Sequence, residues 1–131
     1  MKPHILSFIP GVIWTIMIFI LLIMPGSDIP SNDFFELIYF DKWVHIGLFG
    51  GLTFLTAYPF IKAGRLTKEL LIKIGISFIM YGILIEFIQK YFASDRSFDI
   101  TDMIADAVGC LAGCIASNWV MRKLAKKNKP L

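Results

Sequence analysis

Four apolar runs, each about as long as a bilayer is thick, dominate this chain. A hydrocarbon core of about 30 Å needs roughly 20 residues of helix to cross it. Ile5 to Met24 carries no charge, and Pro25-Gly26 ends it. Trp43 to Ile61 contains His45 as its only ionisable side chain. Leu70 to Tyr91 holds Lys73 near one end and Glu86 and Lys90 near the other. Ile100 to Met121 holds Asp102 and Asp106, then no charge until Arg122. The chain has 131 residues, 56% of them apolar and only 18% charged. A small soluble domain cannot bury that much apolar surface, so a soluble globular enzyme and a disordered chain are both excluded. The expected fold is all-α: a four-transmembrane-helix bundle forming a single domain over residues 1–131, with spans at about 5–24, 43–61, 70–91 and 100–121. The first run exceeds the usual apolar core of a cleaved signal and lacks a small-residue cleavage site, so it is expected to stay as a span. Pro10 is expected to bend or start its regular part.

Basic residues predict the orientation. Lys2, the group Lys62, Arg65, Lys68 and Lys73, and the tail from Arg122 to Lys129 place ten of the thirteen on one side. Both termini are therefore expected in the cytoplasm of a bacterium, in its inner membrane. Lys42, Lys90 and Arg96 fall on the other side, with nine of the ten acids: all except Glu69. Acids do little to set topology, so their skew points to something else at the outer face. Between the first two spans, Phe34-Phe35-Glu36-Leu37-Ile38-Tyr39-Phe40 mixes aromatics with acids. It reads as a short interfacial helix, an anchor rather than a lid.

Ionisable groups inside spans are costly and face a bundle interior or a cavity. Here three spans put them at one depth, within about two turns of the outer surface. Asp41 and His45 share a face at i, i+4, as do Asp102 and Asp106; Glu86 and Gln89 are i, i+3. The aspartate stripe continues through Gly109 and Gly113, a pair that permits close helix approach. Lys42 and Arg96 lie at the rim. A satisfied polar plug tying the helices together is one reading. The number of ionisable groups in one layer favours the other, a hydrated pocket open toward the outer leaflet. Cys110 and Cys114 read as small packing residues, His4 as a surface side chain, and the basic tail as a topology signal, with no nucleic-acid partner.

These residues resemble the VanZ-like family of small bacterial membrane proteins. Asp41-Lys42-Trp43-Val44-His45 is similar to its D-K-x-x-H motif and Glu86-Phe87-Ile88-Gln89 to its E-x-x-Q motif. Arg96-Ser97-Phe98, Asp102 and Gly109 are similar to its R-S-x…D-x-x-x-N-x-x-G segment. The resemblance runs over nearly the whole chain and implies the four-span fold and the polar site. This chain departs at Asp106, where the family commonly has Asn; a carboxylate only accepts hydrogen bonds, whereas an amide also donates. The family is named after a protein associated with reduced susceptibility to teicoplanin, a lipoglycopeptide antibiotic acting at the outer leaflet.

Three functions fit. The first binds an envelope lipid headgroup, a lipid-linked phosphate or a lipoglycopeptide-type ligand through Lys42, Gln89 and Arg96, with Lys42 and Arg96 as phosphate holders. The second is an enzyme on a lipid-linked substrate, with His45, Glu86 and Asp102 as catalytic candidates and Asp41 and Asp106 as weaker ones. In it His45 is a general base oriented by Asp41, and a divalent metal on Glu86, Asp102 and His45 is an option. The third is an assembly partner without a ligand. Binding ranks first because no bond-breaking constellation is specified. Four helices are few for a lone transporter, so a transport version expects a homo-oligomer through small residues such as Gly109 and Gly113.

Overall fold

The computed structural model describes residues 1–25, 32–93 and 96–127, with backbone alone at 35 and 37. Gly26, Asp28, Asp95 and Lys129, used above, lie outside the described residues. A 3-10 turn, Ile5–Phe8, leads into α1 (Ile9–Ile23), followed by α2 (Asp33–Leu37), α3 (Phe40–Lys62), α4 (Lys68–Phe92) and α5 (Ile100–Lys127). Four of these elements are long and apolar enough to cross a membrane: the first turn with α1, then α3, α4 and α5. The chain is thus a multi-pass, all-helical membrane protein.

Local chemistry explains the boundaries. Pro10 sits in the first turn of α1, where its missing N–H loses no hydrogen bond. Thr67 caps α4 by accepting from the Leu70 N–H at 3.1 Å. The short helix expected between the first two spans is α2, and Tyr39 turns the chain from it into α3 with a left-handed φ of 51°. α5 runs six residues past Met121 into the basic tail, since Lys and Arg are good helix formers and can snorkel from a span end.

The bundle turns apolar side chains outward and buries a set of polar ones within its apolar core. α4 exposes Ile72, Ile76, Met80, Leu84, Phe87 and Tyr91, and α5 exposes Ile104, Val108, Leu111, Ile115 and Trp119. Those three- and four-residue steps trace one helical face each, the face suited to lipid. Buried instead are His45, Thr53, Glu86, Gln89, Asp102, Asp106 and Ser117. Between these polar groups Phe49, Leu52, Ile18, Leu22, Ile85 and Cys110 form the apolar core. Cys110 and Cys114 are free thiols serving as packing residues.

The closest helix pair is α3 with α5. Gly109 lies against the backbone of Ile46 and Gly50, and Gly113 against Gly50 and Thr53. The small-residue pair thus serves a close helix approach within the chain, and it turns the stripe bearing the aspartates toward α3, where they meet His45. α1 is joined more loosely. The Trp14 indole donates to the Leu48 carbonyl at 2.8 Å, and the Tyr81 hydroxyl donates to the Thr15 carbonyl at 3.0 Å.

The helices alternate in direction, which separates charge between the two ends. A cleft lined by Lys2, Phe8, Phe60, Arg65 and Leu70 marks one end. Val120 and Met121, just before the tail, pack there beside Ile61, Leu66 and Leu71. The other end gathers the C-termini of α1 and α4 and the N-termini of α3 and α5, and with them the acids.

Candidate functional site

At the acidic end, Lys42 stands at the start of α3 and sends its ammonium to three carboxylates. It lies 2.9 Å from Asp41 and 2.8 Å from Asp99, and it donates to Asp102 as well. An ammonium has three N–H donors, so this one is saturated. One turn further along α3, the buried His45 points Nδ1 at Asp106 Oδ1, 2.8 Å away. Its Nε2 faces Asp102 Oδ2 at 3.8 Å. The imidazole thus lies between two carboxylates of α5, whose four-residue spacing matches the width of the ring. From α4, Glu86 accepts through Oε2 from the Asp99 backbone N–H at 3.0 Å.

The structure reassigns one role. Asp41 does not orient His45; it turns outward to Lys42 and is mostly exposed. Asp106, on the facing helix, holds the ring instead. The i, i+4 spacing set the face that Asp41 and His45 share but not the partner that reaches the ring. A residue from a facing helix enters the interior, whereas one near the start of the same helix reaches water.

Gln89 and Arg96 point to the end of α1. The buried Gln89 side-chain amide donates to the Leu22 carbonyl, and Arg96 Nε donates to the Met24 carbonyl at 3.4 Å. The last carbonyls of a helix have no partner within it, and these two side chains supply one from outside. Arg96 makes no ion pair among the described residues. Also among the described residues, no three His, Cys, Asp or Glu side chains are grouped to hold a metal ion.

Asp99 is the site residue that sequence reasoning missed. In the structure it caps α5, accepting from the Thr101 N–H at 2.8 Å and the Thr101 hydroxyl at 2.6 Å. It also accepts from Lys42 and donates to Glu86, so it joins three helices. The available signal was local: an Asp just before an apolar helical run, two residues ahead of Thr, is a helix N-cap.

Lys42 and Thr101 beside Asp99 hold its carboxyl down to about 2 from the ordinary 3.8. A lowered folded-state value means stability that is present above the unfolded value and lost as the pH falls through the folded one. This contribution is therefore complete above pH 3.8 and disappears between there and about 2. The side chain is 40% exposed, so solvent screening makes it modest. In melts of detergent-solubilised protein, Asp99→Asn is expected to flatten the fall in melting temperature across that window. An unchanged curve would show that other carboxyls carry the acid sensitivity.

Two buried side-chain atoms have no partner among the described residues. Glu86 Oε1 and Asp106 Oδ2 are buried and make no hydrogen bond. They do not reach each other within hydrogen-bond distance. Asp106 Oδ2 lies in the notch that Gly82 leaves on α4, where a Cβ would stand 2.5 Å from it. Glu86 is one helical turn away from Gly82 on the same face.

The chain was compared with known families, curated proteins and solved structures. The family model described as VanZ/LLP1 matches residues 7–121. Nothing among the curated proteins or the solved structures matches.

Proposed function

The chain belongs to the VanZ/LLP1 family, and from that membership and the site's geometry we propose that its acidic end is a ligand-binding site. Its ligand is the polar headgroup of an envelope lipid, a lipid-linked phosphate or a lipoglycopeptide-type molecule. The basic end lies in the cytoplasm and the site faces outward from the bacterial inner membrane, in keeping with the positive-inside rule.

One observation carries this reading: Glu86 Oε1 and Asp106 Oδ2 are buried with no hydrogen-bond partner. Leaving a buried acceptor unpaired costs about 1–3 kcal/mol, more if it is charged. A plug whose only task is to join helices gains nothing from two such atoms, whereas a site that receives donors from a ligand does. The polar groups also lead inward from solvent. Side-chain exposure falls from 60% at Asp41 to 40% at Asp99, 11% at Asp102 and 1% at Asp106.

A second reading draws on the pair Asp106–His45. A carboxylate holding Nδ1 and leaving Nε2 on the other side is the arrangement of an oriented general base. With that role Asp102, 3.8 Å from Nε2, is the neighbouring acid, and the substrate is lipid-linked.

Native mass spectrometry of the protein extracted with its own membrane lipids separates these readings. The wild type is expected to retain an envelope molecule. Asp102→Asn and Glu86→Gln, folded by circular dichroism, are expected to lose it. Equal retention by all three proteins would rule out this site. Conversion of the retained molecule to a product by the wild type alone would favour the enzyme.

A further inference from the structure

At the basic end of the bundle, charge and shape coincide in one place. Lys2, Phe8, Phe60, Arg65 and Leu70, from three stretches of chain, line a cleft of about 490 Å³, within the size range of small-molecule sites. Its apolar wall is set by Phe8 and Phe60, whose rings meet edge to face with centroids 5.2 Å apart. The backbone of Arg65 is held as well. Gly64 takes a left-handed φ of 63°, which glycine adopts without strain. The Arg65 N–H then returns to the Phe60 carbonyl at 2.8 Å, and the Gly64 N–H reaches the Ile61 carbonyl at 3.0 Å. This helix-ending turn anchors Arg65 to the last turn of α3. The cations here lack acids. Among the described residues of this end the only acid is Glu69, and it pairs with Lys73 at 2.7 Å. Lys2, Lys62, Arg65 and Lys68 make no ion pair among the described residues. Leu70 lies in the first turn of α4, where the helix dipole adds positive potential.

We propose that this cleft binds an anionic phospholipid of the adjoining leaflet, with Lys2 and Arg65 on its phosphate and Phe8, Phe60 and Leu70 against its glycerol and upper acyl chain. The site is separate from the acidic end and does not depend on what binds there. Arginine presents a fork of N–H donors that fits a phosphate bidentately, and lysine adds a point charge. The cleft lies at the end of the spans, where headgroups begin. The exposed Ile5, Leu6 and Ile9 carry the lipid-facing surface up to Phe8, so an acyl chain has a continuous apolar path to the cleft. A soluble anion would satisfy the two cations and leave the aromatic wall without a partner; a phospholipid covers both. A basic surface draws anionic lipid by charge alone and treats each of its cations alike. A cleft with a fixed wall gives the cations that line it a larger share than their neighbours.

Native mass spectrometry of the full-length protein, released from nanodiscs of phosphatidylcholine mixed with phosphatidylglycerol, tests this. Selective retention of phosphatidylglycerol is expected. Arg65→Gln is expected to weaken it about tenfold or more, the loss of a charge-assisted hydrogen bond. Lys62→Gln removes the same charge from a residue that does not line the cleft. It is expected to cost about fivefold or less, the effect of one cation near an anionic surface. Equal losses in the two variants would reduce the attraction to diffuse surface charge and overturn the site. Equal retention of the two lipids by the wild type would overturn it too. If Arg65→Gln does not fold, Lys2→Gln set against Lys62→Gln makes the same comparison. Asp102→Asn is expected to keep phosphatidylglycerol. Its loss there, with full retention in Arg65→Gln, would move the lipid to the acidic end and overturn the proposal. Displacement of the lipid by soluble glycerol phosphate would assign the cleft to a soluble anion instead and overturn the lipid assignment; failure to displace it supports the bilayer as the source.

Discussion

Gly109→Ala and Gly113→Ala are each expected to lower stability by about 1–3 kcal/mol, the range for overpacking a filled interior, and together to prevent recovery of folded protein. A Cβ at Gly109 would stand 2.5 Å from the Ile46 carbonyl oxygen, 3.0 Å from its Cα and 3.1 Å from the Gly50 nitrogen. At Gly113 it would meet the Gly50 carbonyl oxygen at 2.6 Å and Thr53 Cβ at 2.7 Å. Most of these neighbours are backbone, which cannot rotate aside, so the helices must separate. Lipid tails are as apolar as the side chains, and close packing is therefore what holds membrane helices together. α5 carries Asp102 and Asp106, so separation also takes both carboxylates from Lys42 and His45. Gly47 is the control: a Cβ there meets nothing within 4 Å, and Gly47→Ala is expected to be neutral or slightly stabilising. Thermal melts in detergent decide this. Equal melting temperatures for Gly47→Ala and Gly109→Ala would show that the approach of α3 to α5 does not hold the bundle.

His45→Leu is expected to cost about 3–5 kcal/mol, the range for removing one partner of a buried pair. Asp106 Oδ1 has its hydrogen bond to His45 Nδ1, and Oδ2 has no partner. Removing the imidazole leaves the whole carboxylate buried and unpaired, facing Asp102. Neutralising that group should remove most of the penalty, so His45→Leu with Asp106→Asn is expected to be clearly more stable than His45→Leu alone. The same melts report both variants. If His45→Leu melts with the wild type, the pair contributes nothing to the fold.

Both expectations rest on polar residues that were visible in the sequence and on pairings that were not. His45, Glu86, Asp102 and Asp106 stand out because a charge inside an apolar run is expensive. Their common depth followed from counting residues back from the span ends. Asp99 stayed hidden because it lies outside the run, where an acid is ordinary; its importance comes from the Lys42 ammonium and the Glu86 carboxylate arriving beside it. Arg96 looked like a phosphate holder because it lies at the right depth. Its hydrogen bond within the chain goes from Nε to the Met24 carbonyl at the C-terminal end of α1, whose position depends on how that helix leans against α4.

The four spans and the common depth of His45, Glu86, Gln89, Asp102 and Asp106 were properties of the sequence itself. Each depends on length, on helical periodicity or on the cost of a charge in hydrocarbon, and all three act along one helix at a time. The tertiary structure decided that Asp106 rather than Asp41 holds His45, that Lys42 is saturated by three acids, and that two carboxylate oxygens are left without donors. Those outcomes depend on which faces of different helices meet and how closely. Here that is governed by the contact of two glycines on α5 with the backbone of α3, a distance that no spacing within a single helix encodes.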